Sequence, residues 1–213
     1  LAPLRYATQN LALDARGATV TARKRGDRLT IDVSLALDSL EAEAADLAGA
    51  TAKLSADLPY PDLARMTANG PLEARLALRA ADGRFGDAQG ESVTGDLSLT
   101  GRVDGGLERF AFLGKGRAAL RGGRLSAPSL DARDASLALD LSRVAGGRQD
   151  GRLTLRGATS AELRTGEAVA AGTALRALRA RATSDNLCLA TDSSGMSVNG
   201  PLNIEAGADR LAA

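Results

Sequence analysis

The 213-residue sequence contains no histidine, no tryptophan and a single cysteine, Cys188. Without histidine there can be no Ser-His-Asp triad, no Cys-His dyad and no imidazole ligand for a metal ion. A lone thiol forms no intrachain disulfide, and without a histidine partner it is typical of a strand position rather than of a nucleophile. Neighbouring carboxylates such as Glu41 and Glu43 are typical of a solvated sheet face. The sequence therefore predicts a protein that is not an enzyme and has no catalytic residues.

Aromatic residues are also scarce, since the chain has only two tyrosines and three phenylalanines. Each aromatic side chain buries about 150–250 Å², so five of them cannot dominate the core of a chain of this length. Alanine, which occurs 43 times, and leucine must line the apolar surfaces instead. We expect these surfaces to be smooth and aliphatic.

Motifs that bind phosphate groups or dinucleotides are missing as well. The Gly-Lys pair at Gly114-Lys115 lacks the upstream glycine and the following hydroxyl of a phosphate loop. The 27 Lys and Arg and the 26 Asp and Glu residues are scattered along the chain, which disfavours nucleic-acid binding. We therefore expect no cofactor, no metal ion and no nucleic acid as a partner.

No long hydrophobic run is present, because the longest uncharged apolar stretch covers only residues 168–175. A helix needs roughly 20 apolar residues to cross a bilayer, so the sequence predicts no membrane span. The first residue is Leu1 rather than methionine. We expect the chain to be a segment of a longer protein.

What the sequence does have is an apolar period of two, which is typical of a strand with one buried face. In residues 28–38 the apolar members alternate with polar or small residues; they are Leu29, Ile31, Val33, Leu35 and Leu37. A similar alternation at 18–23 precedes them, and Arg25-Gly26-Asp27 separates the two. This pattern predicts a β-hairpin whose apolar residues share one face.

The same alternation recurs along the chain. Its apolar members are Leu97, Leu99, Val103, Phe110, Phe112, Leu137, Leu139, Leu141, Leu153 and Leu155. Gly-Arg pairs followed by an apolar residue begin at Gly83, Gly101, Gly123 and Gly151. We interpret these pairs as turn exits, with turns about every 8–12 residues as in an antiparallel array.

Two segments permit either a helix or strands. Residues 39–58 are rich in alanine, a good helix former, but Ala50, Ala52 and Leu54 alternate with polar residues, which favours two strands. The alternation shifts near Ala45-Asp46, as a bulge or corner would make it. Residues 162–183 favour neither interpretation. The prolines of Pro59-Tyr60-Pro61 end the element before them, because proline donates no ladder hydrogen bond.

One internal repeat is specific. Residues 66–72 read Met-Thr-Ala-Asn-Gly-Pro-Leu, and residues 196–202 read Met-Ser-Val-Asn-Gly-Pro-Leu, 130 residues later. Asn-Gly supplies the positive φ of a turn, and proline follows where a strand begins. The sequence therefore predicts a single repetitive segment over residues 1–213, with a sub-boundary near residues 59–71.

Hairpins rich in Ala, Leu, Gly, Arg and Asp, the Leu58-Pro59-Tyr60-Pro61-Asp62-Leu63 corner and the Asn-Gly-Pro-Leu turns carry a resemblance. The whole chain resembles a segment of the AsmA-like superfamily of intermembrane lipid-transport proteins, and most of all its YdbH-like members. The resemblance implies an elongated, curved antiparallel β-sheet, shaped like a taco or groove and built of degenerate hairpin repeats. We expect at most one or two short helices.

The resemblance also implies a function. It places the protein in the periplasm, held in the inner membrane by a segment outside this chain, where it shields phospholipid acyl chains on their way to the outer membrane. An aliphatic face suits this role, because each buried methylene contributes about 0.8 kcal/mol. The fifteen alternating residues from Leu29 to Leu155 named above are the predicted lining. The alternative is a structural or adhesive β-repeat segment of a secreted or cell-surface protein.

Overall fold

The computed structural model describes residues 4–7, 11–42, 45–106, 109–149, 151–170, 172–192 and 195–210. These residues form thirteen strands and no helix, all in one antiparallel sheet. The strands are β1 (Leu4–Ala7), β2 (Leu11–Arg25), β3 (Arg28–Ala42), β4 (Ala45–Pro59), β5 (Gly70–Phe85), β6 (Ala88–Gly105), β7 (Phe110–Ala127), β8 (Leu130–Gln149), β9 (Arg152–Arg164), β10 (Glu167–Ala170), β11 (Thr173–Asp192), β12 (Gly195–Asn199) and β13 (Asn203–Arg210). The predicted fold class, an elongated and curved antiparallel sheet, is confirmed.

The strands follow one another through the sheet in chain order. From β1 to β8 each strand pairs with the next one along the sequence. Strand β11 then pairs with β9 and β10 on one side and with β12 and β13 on the other. With neighbouring strands about 4.8 Å apart, ten successive strands span about 45 Å. The sheet is a meander in which pairing is local in sequence.

Both segments of uncertain class are strands. Residues 39–58 contribute the end of β3 and most of β4, and residues 162–183 contribute the end of β9, all of β10 and the first half of β11. Of the bulge or corner predicted near Ala45-Asp46, the structure has a reversal of the chain: β3 ends at Ala42 and β4 begins at Ala45. The reversal explains the shifted alternation.

The hairpin at 25–28 is confirmed, since Arg25 pairs with Arg28 and Gly26 has a φ of 62°. The interpretation of the Gly-Arg pairs as turn exits is wrong at three of four positions. Gly151 does lie in a turn, but Gly101 and Gly123 lie inside strands and Gly83 precedes the turn after β5. Gly101 is needed for close packing, because a Cβ there would collide with the carbonyl oxygen of Leu113 and the ring of Phe112.

A line of interrupted pairing crosses the sheet, which we call the crease. It is marked by four residues with positive φ in alternate strands: Gly49, Ser92, Asp134 and Ala177, which are 43, 42 and 43 residues apart. The buried residues that flank this line within one strand are three positions apart instead of two, as are Ala132 and Ala135. The alternation of buried and exposed residues therefore changes phase at the line. Such irregularities bend strands. The chain therefore consists of repeat units of about 43 residues, three of which account for the 130-residue spacing of the Asn-Gly-Pro turns.

The buried core lies along the crease. It consists of Ala15, Leu37, Leu47, Ala50, Ala80 and Val93, packed against Leu35, Leu40 and Leu78. No large side chain among the described residues is fully buried. The accessible surface is 14117 Å² for a mass of 21.8 kDa, whereas a compact protein of this mass exposes about 9,300 Å². The excess follows from the architecture, because a single layer of sheet covers neither of its faces.

Candidate functional site: an uncharged apolar face

Directly opposite residues in neighbouring strands lie on the same face of the sheet, so the strand register defines rows across it. One row runs through ten strands: Val20, Val33, Leu54, Leu76, Leu97, Ala118, Leu139, Ala161, Ala182 and Ile204. The next row comprises Ala18, Leu35, Ala52, Leu78, Gly95, Leu120, Leu137, Leu163, Ala180 and Ala206. We call the surface that carries these rows the apolar face.

A third row on the same face comprises Ala22, Ile31, Ala56, Ala74, Leu99, Gly116, Leu141, Thr159 and Ser184. None of the three rows contains an ionisable residue. Chance does not explain this, since a quarter of the sequence is charged. Over these three rows the charged residues lie on the other face.

The large side chains of the apolar face are only half covered. Leu76, Leu97 and Leu137 keep 36%, 43% and 41% of their surface exposed, and Val20 and Ile204 at the two ends keep more. Neighbours on the same face provide what cover there is, because no second layer packs on these rows in the described part of the chain. Isolated exposed apolar residues are ordinary on proteins, but a continuous patch of this extent marks a binding surface.

The structure brings all fifteen predicted lining residues to the apolar face. Their register places Leu29 to Leu37, Leu97 to Val103, Phe110, Phe112, Leu137 to Leu141, Leu153 and Leu155 on one side of the sheet. Two of them are not open to a ligand. Leu37 belongs to the core at the crease, and Phe112 is 7% exposed with its ring against Gly101 and Gly114. These two side chains support the sheet from within.

The sequence prediction missed several residues of the apolar face, among them Leu54, Leu76, Leu120, Leu163 and Ile204. Each lies in a row with predicted residues. Each is also two positions from another apolar residue of its own strand. The signal was present in the alternation. The sequence does not give the register between strands, and this register is what joins these residues into rows.

The opposite surface, the polar face, is charged and hydrated. Its ion pairs lie along or between strands, as in Arg75 with Glu73 at 2.8 Å and Arg164 with Glu162 at 2.7 Å. The Ser55 hydroxyl donates a hydrogen bond to Asp32 over 2.8 Å. A hollow of about 880 Å³ over the middle of the sheet is lined mainly by polar-face residues. This hollow therefore opens on the polar face, and the apolar face lies on the other side of the sheet.

One ion pair of the polar face perturbs its members. The Arg124 guanidinium donates a hydrogen bond to Asp131 over 2.7 Å and lowers the pKa of that carboxyl below its ordinary value of 3.8. The same bond raises the pKa of Arg124. Both groups are open to solvent, so this is a surface pair. Among the described residues no three His, Cys, Asp or Glu side chains come together as a metal site.

A smaller cavity on the apolar side, which we call the end cavity, lies at the strand ends farthest from the crease. Its volume is about 550 Å³. The sheet contributes Leu29, Leu58, Leu72, Val103 and Phe110, and the segment of residues 60–69 between β4 and β5 contributes Pro61, Leu63, Met66, Thr67 and Ala68; Pro59, Gly105, Gly106 and Arg148 complete the lining. The predicted sub-boundary at 59–71 coincides with this segment, and β4 and β5 on either side of it pair directly.

Comparison with known proteins gives no assignment: no protein-family model, no curated protein and no solved structure matches the chain. Among the described residues, no helix has the length and apolar character needed to cross a membrane.

Proposed function

We propose that the apolar face carries the acyl chains of phospholipids, and that the chain is a segment of a periplasmic bridge through which lipids move between the inner and the outer membrane. The observation that carries the proposal is the set of three rows across up to ten strands with no ionisable residue and with half-exposed leucines. The lipid-transport resemblance of the hairpins and turns points the same way. No catalytic group is required, because transfer breaks no bond.

The energetics favour an occupant that is long, apolar and without fixed shape. Each methylene that leaves water for contact with the face contributes about 0.8 kcal/mol. Leucine and alanine offer no polar group that a ligand would have to match, so acyl chains of different length and saturation are accepted alike. The row direction also matters, because the rows cross the strands and form a path that continues from one repeat to the next.

The rival function is a structural or adhesive repeat, which would use the same strands. Such a protein covers its apolar residues with its own chain, as sandwiches and solenoids do. The half-exposed leucines and the excess of accessible surface favour a conduit, that is, an apolar face that carries lipid acyl chains. The two functions differ in whether a charge on the apolar face is compatible with folding.

The test compares Leu97→Asp with Ser98→Asp in the full chain. The two positions are neighbours in β6, but Leu97 lies on the apolar face and Ser98 on the polar face. If the face is a conduit, both variants fold, because the carboxylate at 97 stays hydrated, and Leu97→Asp alone loses co-purifying phospholipid by several-fold. Circular dichroism reports folding, and mass spectrometry of the extracted lipids reports the cargo.

Two outcomes would overturn the proposal. A folded Leu97→Asp variant with undiminished lipid shows that acyl chains do not contact this face. A Leu97→Asp variant that unfolds while Ser98→Asp folds shows that the face is a core covered by protein, because a buried unpaired charge costs several kcal/mol.

A further inference from the structure

The end cavity is walled by a segment that is held firmly at both ends. The backbone amide of Tyr60 donates to the carbonyl of Asp27 over 2.6 Å, and the Lys24 ammonium lies 3.9 Å from the centre of the Tyr60 ring. At the other end the amide of Ala68 donates to the carbonyl of Gly105 over 2.7 Å, and the Asn69 side chain accepts from the Gly105 amide over 2.8 Å. The hydrogen bonds fix the wall, so the cavity keeps its shape without a ligand.

The space behind this wall is not filled by the segment itself. Leu63 and Met66 remain 66% and 60% exposed although they line the cavity. A volume of about 550 Å³ lies within the range of about 300–1,000 Å³ that is typical of small-molecule sites. The cavity thus offers an apolar ligand walls on both sides, whereas the open rows offer one.

Among the described residues, Arg148 is the one ionisable residue that lines the end cavity. Its register places it directly opposite Phe110 and Leu153, on the apolar side of the sheet. No ion pair or hydrogen bond joins its exposed side chain to a partner among the described residues. An unpaired guanidinium at the mouth of an apolar cavity complements a ligand with a hydrocarbon chain and an anionic end. Its planar fork matches phosphate oxygens.

We infer that the end cavity is a docking site for an anionic phospholipid, with one acyl chain in the cavity and the headgroup phosphate on Arg148. This inference rests on the proposed function and adds to it a place where the lipid is held by its headgroup. The rows of the apolar face cannot select a headgroup, because they carry no charge. The end cavity selects for net negative charge, and Arg148 is the residue that determines this specificity.

The chain itself offers a clean reporter for the test. Because the sequence has no tryptophan, Leu63→Trp introduces a single indole at the cavity wall. The probe is lysophosphatidylglycerol with a brominated acyl chain, which quenches tryptophan fluorescence on contact. The neutral comparison is lysophosphatidylcholine with the same brominated chain. Leu113→Trp is the control reporter, since Leu113 is 67% exposed and lies on the polar face.

The expected result is saturable quenching of the indole at position 63, and none at position 113, at lipid concentrations below micelle formation. Lysophosphatidylglycerol binds roughly five-fold more tightly than lysophosphatidylcholine, as expected for an exposed charge pair that contributes about 1 kcal/mol. Arg148→Gln removes this preference, because it weakens binding of lysophosphatidylglycerol more than binding of lysophosphatidylcholine, whose phosphate is balanced by its own ammonium group. Arg156→Gln is the matched control, because it removes an exposed arginine of the polar face in the adjacent strand.

The outcomes separate this inference from the proposed function. Equal binding of both lipids, unchanged in Arg148→Gln, overturns the headgroup site while the acyl face stands. Absence of quenching at position 63, in a chain whose lipid cargo still depends on Leu97, overturns the end cavity as a docking site. If neither position 63 nor Leu97 takes part in lipid binding, both the inference and the proposed function fail.

Discussion

The crease and the open rows of the apolar face contain the same residue types but differ in how much of each side chain is exposed to solvent. At the crease, Leu37 and Val93 keep 4% of their surface exposed and Ala50 keeps none. A few residues along the same strands, Leu97 and Leu54 remain 43% and 37% exposed. Leucine and alanine supply both regions. What differs is the local backbone, which has positive-φ irregularities at the crease and is regular along the open rows.

The difference separates what holds the sheet together from what it offers to a ligand. Where strands bend, apolar side chains from successive repeats contact one another and are removed from water. Where the strands are regular, the same kinds of side chain stay exposed and can contact a ligand. A single-layer sheet of this kind therefore needs its crease for stability and keeps the open rows for function.

The largest expected effect tests this separation with one kind of substitution at two places. Leu37→Asp puts a carboxylate in the crease, where we expect a loss of about 3–5 kcal/mol, a large share of the roughly 5–15 kcal/mol that stabilises a typical domain. Leu97→Asp on the open row costs about 1 kcal/mol. Urea denaturation followed by circular dichroism measures both, and equal losses would show that the two regions do not differ in burial.

A second, smaller effect tests whether the crease conformation is built into the backbone. Ala177 has a φ of 48° and stands where another repeat has Gly49. A left-handed conformation costs a residue with a Cβ about 1–2 kcal/mol, so Ala177→Gly should raise the free energy of unfolding by about 1 kcal/mol. Ala182→Gly in the regular part of the same strand should lower it by about 0.5–1 kcal/mol. Destabilisation by both substitutions would contradict the assigned φ.

The smallest expected effect comes from Asp131 on the polar face. Its pKa is lowered in the folded chain by Arg124, so the pair adds stability above the unfolded pKa and loses it as pH falls through the lower folded value. The denaturation midpoint of the wild type should therefore exceed that of Asp131→Asn slightly at neutral pH. The difference should shrink below about pH 3.8. A difference that grows as the pH falls would contradict the sign of the shift.

Alternation in the sequence predicted most of the strands and the shared face of their apolar residues, but it left residues 162–183 open between helix and strand. In β3 the prediction depended on five residues two apart, and the register confirms that all five share a face. Even the alanine-rich residues 39–58 followed their alternation against the helix propensity of alanine. Period was the better guide because each strand gains cross-strand contacts that propensity does not describe.

The crease was not predictable from local patterns. A change of phase at Asp134 looks like noise within one strand, and it gains meaning only when Ser92 and Ala177 lie in register with it. The interpretation of the Gly-Arg pairs as turn exits failed for a related reason. Gly101 resembles turn punctuation but lies under Phe112, a contact made across strands. The lipid-transport resemblance and the location in the periplasm stay predictions.

The most direct test of the central claim is a photo-crosslinking scan along β6. A photoreactive residue is placed in turn at Asp96, Leu97, Ser98 and Leu99, which alternate between the polar and the apolar face. The full chain is irradiated in cells, and phospholipid adducts are identified by mass spectrometry. We predict adducts at positions 97 and 99 and none at positions 96 and 98. Protein adducts at 97 and 99, or lipid adducts of equal yield at all four positions, would contradict the account.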